Sequence, residues 1–426
     1  SVSWELTIPS GVEAIKYTIS ANAGTHIDGE ANTALILPNR KLVTESLAIT
    51  IPASSSKELS VPSFDRLKES STADAHLFQV SITSNPSWLA IQSLPYLMEY
   101  PHKCTEQVFA RYFANRLGAY ILEQNPEIED VYNSWKNKDQ LISALNKNEE
   151  LKSAILQQTP WVMDALSEEE QMQRLALLFD LKKIESESRE DLSTIQQRQN
   201  GGGFPWFPGG RPNWYITQYT LEGFGQLDKM GVIDRKDGQF RSMIEQALQF
   251  LEKEVEEYDR RRTSIDYLSP IIVHYLYVRS FYPEHEASRN GKKLIEKYAK
   301  RSQDLWLDQG ILLQGHLALY FHRNNDKEWS NKIIESLRQR TIFKDDLGRY
   351  WKEVNGYFWH ESAIENQALL IAAFDEITAD TRGNNDEIDQ MKQWLLSNKR
   401  TNSWKSTKAT THAVYALIQR GEKWIS

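Results

Sequence analysis

From Pro86 onward the chain alternates two kinds of helix-period segment, and this alternation limits the fold more than anything else in the 426 residues. One kind is apolar over most of its surface, as in Ile271–Val278 and Ala368–Phe374; the other is charged with a narrow apolar stripe, as in Leu251–Glu257 and Lys292–Lys297. A helix apolar on all sides must be enclosed, whereas one with a single stripe covers others from outside. Strict alternation therefore predicts inner helices wrapped by outer ones, joined as hairpins. The candidate helices are 105–122, 138–156, 160–180, 183–198, 214–229, 239–258, 267–281, 286–302, 309–323, 328–340, 361–377, 385–397 and 407–419. The expected fold is mainly α, an α/α toroid of about six helical hairpins over residues 85–426.

Residues 1–84 have a different period. Val2–Ile8, Ala14–Ser20, Leu47–Ile51 and His76–Ile82 alternate apolar and polar residues, with Gly, Asn and Ser clusters between them. Period two with such punctuation predicts a small antiparallel β portion preceding the helices.

Composition removes several function classes. With 40% hydrophobic and 11% aromatic residues the chain can bury a large core. Its net charge of -8, with Lys and Arg interleaved among Asp and Glu, offers no basic face for nucleic acid. No run of eighteen apolar residues exists, so no membrane contact is expected of this chain, and the N-terminus lacks the pattern of a signal peptide. The single cysteine cannot form an internal disulfide, and it has no ligand-spaced partner for zinc except His102, which is too close. No metal and no cofactor are expected.

That cysteine stands in Tyr100-Pro101-His102-Lys103-Cys104-Thr105-Glu106-Gln107, at the mouth of the apolar helix pattern Val108, Phe109, Tyr112, Phe113, Leu117, Tyr120. Three residues make about one helical turn, so the Cys104 sulfur and the Gln107 amide can face each other. A thiol held against an amide carbonyl can displace ammonia and leave an internal thioester. Inner helices run parallel in the expected fold, so the segments leading into them share one mouth. Those segments are aromatic: Trp206 to Tyr215, Gly356 to Ser362, and Asn402 to Lys408. Tyr100, Trp206, Trp214, Tyr215, Trp359 and Trp404 are therefore candidates for a dry wall around the bond. Core packing, with N-caps from Asn213, Ser362 or Ser406, is the plainer account of the same residues. Lys103, with the helix N-terminus, is expected to favour a thiolate at Cys104. Glu106 and His360 are possible assisting groups; a first-turn glutamate also complements the helix dipole, and His412 reads as a core residue.

Cys-x-Glu-Gln after an aromatic-Pro step resembles the thioester motif of the α2-macroglobulin and complement family, most closely its bacterial branch. The resemblance extends to Asn85-Pro86-Ser87-Trp88, Leu94-Pro95-Tyr96-Leu97, Gly202-Gly203-Phe204-Pro205-Trp206, Glu361 to Ala368 and Trp404 to Thr410. Where vertebrate motifs carry glycine around the cysteine, this chain has Lys103 and Thr105, as bacterial relatives do. The resemblance implies a thioester domain following an incomplete β-sandwich in residues 1–84, within a longer protein of the bacterial cell envelope, periplasmic or lipid-anchored. It implies a broad protease inhibitor rather than a turnover enzyme: proteases are captured covalently through amines, and other domains of the same long chain are partners. Complement-type members keep an acyl-accepting histidine in the loop matching Gly202 to Arg211. This chain has none there, which favours amines over hydroxyls.

Two other readings fit the expected fold. A carbohydrate-active enzyme would use a carboxylate pair drawn from Asp345, Asp346, Glu353, Glu361 and Glu365. A non-covalent interaction module would leave the thioester unformed.

Overall fold

The structure, a computed structural model, describes residues 3–8, 14–36, 60–78, 80, 86–124, 181–234, 237–261, 267–352, 363–379, 385–399 and 403–419, with isolated positions between 43 and 58. They fall in two compact units, one holding the first β-hairpin and the other, from Glu45 onward, holding every helix.

In the first unit β1 (Ala14–Ala23) pairs antiparallel with β2 (His26–Leu35), in a register that sets Ala14 against Leu35 and Ala23 against His26. The two-residue connection uses Gly24 at φ 71°, a backbone conformation that glycine adopts without steric cost. The strand expected at Ala14–Ser20 is present. Ser3 to Ile8 is irregular instead, and so are the described positions of the other two expected strands, Ile49, Ile51, His76 to Phe78 and Val80. Alternation is necessary for a strand but insufficient, since no neighbouring chain supplies a ladder to these segments among the described residues. Their apolar side chains stay in solvent, with Trp4 66% and Phe78 65% exposed.

The helical unit begins with α1 (Pro62–Glu69), a helix in a region expected to be extended, started by Pro62 in its first turn. Then come α2 (Pro86–Ile91), α3 (Leu94–Met98) and α4 (Thr105–Gln124), followed by α5 (Leu181–Arg198), α6 (Trp214–Lys229), α7 (Gly238–Arg261), α8 (Pro270–Arg279) and α9 (Arg289–Leu305). After a 3-10 turn come α10 (Ile311–Arg323), α11 (Lys327–Gln339), a hairpin of β3 (Thr341–Lys344) and β4 (Gly348–Trp351), α12 (Ala363–Ile377), α13 (Asn385–Ser397) and α14 (Thr407–Ile418). The helices expected at 138–156 and 160–180 lie outside the described residues.

The two helix kinds bury as their patterns dictate. Every residue of Ile272–Val278 in α8, of Ile364–Phe374 in α12 and of α14 is buried. Helix α9 buries only Gly291, Leu294, Tyr298 and Ser302, a single stripe. Helix α4 touches α6, α6 touches α8, and the contacts continue through α10, α12 and α14, which returns to α4. This closed cycle is the neighbour pattern an α/α toroid requires. Helices α5, α7, α9, α11 and α13 each cover the inner helix that precedes them. Helix α5 is tied to α4 by Arg111, whose Nε donates to Asp191 Oδ1 at 2.9 Å. Helices α4 and α6 approach closely because Gly223 has no side chain: a Cβ there would lie 2.2 Å from the Phe109 ring.

Candidate functional site

Helix α4 starts at a compact cap. The Cys104 carbonyl accepts the first helical bond, from Val108 N at 3.0 Å, and the Gln107 side-chain oxygen returns to the Cys104 N–H at 3.4 Å. The backbone N–H groups of Gln107 and Glu106 favour the charged form of the Cys104 thiol. This is one half of a capping box, in which the Gln107 side chain folds back on the N–H of Cys104 and so lies over the residue that carries the thiol. The three-residue spacing seen in the sequence therefore has a mechanical cause.

Three segments hold this cap. Trp206 accepts a bond from the Thr105 N–H at 2.9 Å, and its ring stacks on Tyr215 with centroids 6.1 Å apart. The loop carrying Trp206 is itself pinned, with Phe204 N donating to Thr217 Oγ1 at 2.9 Å and Asn213 N to Phe204 O at 2.8 Å. Tyr100 meets His102 edge-on, and burial raises its hydroxyl pKa, with Glu106 and Cys104 adding to the rise. From α5, Arg198 donates to Lys103 O at 2.8 Å and to Thr105 Oγ1 at 3.2 Å, one bond on either side of Cys104.

Burial raises the Cys104 thiol above its ordinary value of 9.0, and the Glu106 carboxylate adds to the rise. The Gln107 and Glu106 N–H groups and the Arg198 guanidinium act the other way without cancelling it. The expected thiolate is thus corrected to a protonated thiol, because removing water from a half-buried sulfur outweighs the helix terminus. The cation facing the sulfur is Arg198; Lys103 is exposed.

Glu106 does more than complement a helix dipole. It is 8% exposed and accepts from Thr407 Oγ1 at 2.9 Å and from Tyr219 OH at 3.5 Å, joining the starts of α4, α6 and α14. Burial pushes its carboxyl up, opposed by the Thr407 bond and by Lys408. Lys408 is buried in α14 with its ammonium 5.8 Å from the Tyr215 ring; burial works against its charge, but Tyr215, Glu365 and Glu222 more than compensate. Glu365 from α12 completes the group, its carboxyl raised by burial and its Oε2 without a hydrogen bond among the described residues. Deeper between the inner helices, His274 Nε2 meets Glu222 Oε2 at 2.8 Å, and the His274 and His316 rings stack at 5.3 Å.

The structure thus brings Cys104, Glu106, Gln107, Tyr100, Trp206 and Tyr215 together and places Trp214 and Trp404 elsewhere. Trp214 meets Tyr258 of α7 and lines a cleft of about 310 Å³ with Glu254, Glu257 and Arg261. Trp404 is fully buried, and its indole donates to Leu395 O of α13 at 2.7 Å. The caps expected from Asn213 and Ser406 form, each accepting from a backbone N–H at 3.1 Å. Trp359, His360, Glu353 and Glu361 lie outside the described residues. Asp345 and Asp346 are exposed at the β3–β4 turn, where their carbonyls accept from Gln393. Among the described residues no group of His, Cys, Asp and Glu is arranged to hold a metal ion, and no helix is long and apolar enough to cross a membrane. Sequence reasoning missed Arg198, Thr407 and Lys408. The run Trp404-Lys405-Ser406-Thr407-Lys408 was the one available signal.

Searches with the sequence match no family model and no curated protein.

Proposed function

We propose that the chain is a thioester domain of the α2-macroglobulin type, from the bacterial branch, and that it captures proteases covalently through their amines. The observation that supports this reading is the cap of α4, where the Gln107 carboxamide oxygen accepts from the Cys104 N–H at 3.4 Å and so stands beside the residue that carries the thiol. Attack of Cys104 Sγ on the Gln107 side-chain carbon, with loss of ammonia, gives the thioester. A lysine of an attacking protease then bonds to that carbon and frees the thiol, once per chain, so the domain inhibits without turnover. Trp206, Tyr215 and Tyr100 keep water from the bond. The parent protein belongs to the bacterial cell envelope, and its remaining domains are this domain's other partners.

Intact-mass measurement tests the reading. The expected mass is ~17 Da below that of the sequence, and methylamine adds ~31 Da to this species while one thiol becomes titratable. A full-sequence mass, no amine uptake and a Cys104 that alkylates without pretreatment would overturn it.

A further inference from the structure

Arg198 is fixed by its own helix and by a loop that cannot drift. Gln199 donates to Gly202 O and to Met243 O, both at 2.8 Å, while Asn200 and Gly203 form a bridge that closes the turn. Gly202 sits at φ 92°, and a side chain there would run into the Gln246 carbonyl 2.5 Å away. Upstream, Asp191 locks α5 to Arg111 and Asn115 of α4. The guanidinium is therefore presented to the Cys104 turn by two rigid elements, with one donor for the carbonyl before the cysteine and one for the hydroxyl after it. A lysine has no planar fork to span both acceptors.

We infer that Arg198 is the positioning residue of the thioester reaction: it brackets Cys104 so that the sulfur faces Gln107, and its charge stabilises the sulfur when the bond to it breaks. The inference rests on the thioester reading for its chemistry. In capture the amine nitrogen bonds to the Gln107 side-chain carbon, the carbon–sulfur bond breaks, and the electron pair leaves on Cys104 Sγ. The proton shed by the amine ends on that sulfur or in water. Negative charge is left on sulfur in this step, and sulfur also carries it in the thiolate that must form before Cys104 attacks the carboxamide and passes the charge to the carbonyl oxygen, so one cation beside the sulfur favours the thiolate in both directions.

The test separates the two claims. In the Gln107→Ala background no thioester can form, and the pH dependence of Cys104 alkylation by iodoacetamide reads the thiol directly. Adding Arg198→Gln is expected to move the midpoint up by a few tenths of a pH unit, whereas Arg198→Lys leaves it near the parent value. Local unfolding gives the opposite sign, because a solvated thiol titrates below the buried one. With Gln107 intact, Arg198→Lys is expected to lower the fraction of chains that lose ammonia, since the charge remains but the two-point bracket is gone. An unchanged or lowered alkylation midpoint in Arg198→Gln overturns the electrostatic role; full ammonia loss in Arg198→Lys overturns the positioning role. Failure of the thioester reading shows separately, as no ammonia loss in the parent chain.

Discussion

Mild acid is expected to destabilise the helical unit through His412, and the size of the effect follows from its surroundings. His412 is enclosed on α14, with the Tyr219 ring 6.3 Å away on α6. Burial holds its pKa down, from an ordinary 6.5 to about 4, with Lys408 and His274 also opposing a charge and only Glu222 favouring one. A histidine whose folded pKa is depressed contributes stability above its unfolded pKa, and that stability is lost as pH falls toward the folded value. Between pH 7 and pH 5 the loss from this group is about 2 kcal/mol. His316, stacked on His274 and Tyr277 and also held well below its ordinary value by burial, acts in the same direction. Glu222 stays out of this window: it remains ionised down to about 2, so its contribution is lost only below its ordinary 4.5. Glu106 and Glu365, whose carboxyls burial raises, act in the opposite sense, so the informative quantity is a difference between parent and variant. Urea unfolding of the parent and of His412→Gln, followed by circular dichroism at pH 7 and pH 5, gives that difference. The parent is expected to lose about 2 kcal/mol more than the variant over the interval. Equal losses would refute the claim that His412 is held neutral by its enclosure.

Other perturbations have signs fixed by single contacts. Gly223→Ala places a methyl 2.2 Å from two atoms of the Phe109 ring, and is expected to cost about 2 kcal/mol, read as a lower melting temperature. Arg323→Met strips Glu376 of two 2.8 Å bonds, leaving Lys229 as its remaining cation; roughly 3 kcal/mol of stability is expected to go, with partial recovery in the double variant Arg323→Met, Glu376→Leu. Glu106→Gln removes the carboxylate that raises the Cys104 thiol, so the alkylation midpoint is expected to fall by about half a pH unit, opposite in sign to Arg198→Gln.

The helices were legible because a 3.6-residue period survives any tertiary arrangement: whether a segment is apolar on every side, as in α8 and α12, is decided locally. The same period set Cys104 and Gln107 one turn apart, and the bond the structure adds is a cap, from the Cys104 N–H to the Gln107 side chain. Strand pairing is not local. His26–Leu35 was missed because its Asp, Gly and Asn residues hide any alternation, yet it pairs along its whole length with β1. Val2–Ile8 alternates and still remains irregular over its described part. The aromatic loops were half legible. Position before an inner helix placed Trp206 and Tyr215 against the cap, but side-chain direction sent Trp214 toward α7 and Trp404 toward α13. Arg198 could not be read at all, since it lies ninety-five residues from Lys103 and its fork is aimed by the turn at Gly202.

The raised thiol and the opposing guanidinium describe one device when taken together. A thioester to a high-pKa thiol is a poor acyl donor, because the sulfur leaves with difficulty while it is enclosed. The enclosure depends on the Trp206 carbonyl, which accepts from the Thr105 N–H, and on the Trp206 ring stacked against Tyr215, with Trp206 carried by a loop and Tyr215 by α6 rather than by α4. Swinging the Trp206 ring aside, with its loop still pinned, would hydrate the sulfur and reduce the burial that raises it, while Arg198 would stay beside it. On the thioester reading, exposure to an amine and improvement of the leaving group are therefore the same event, and hydrolysis before that event is slowed by the burial that makes the bond sluggish.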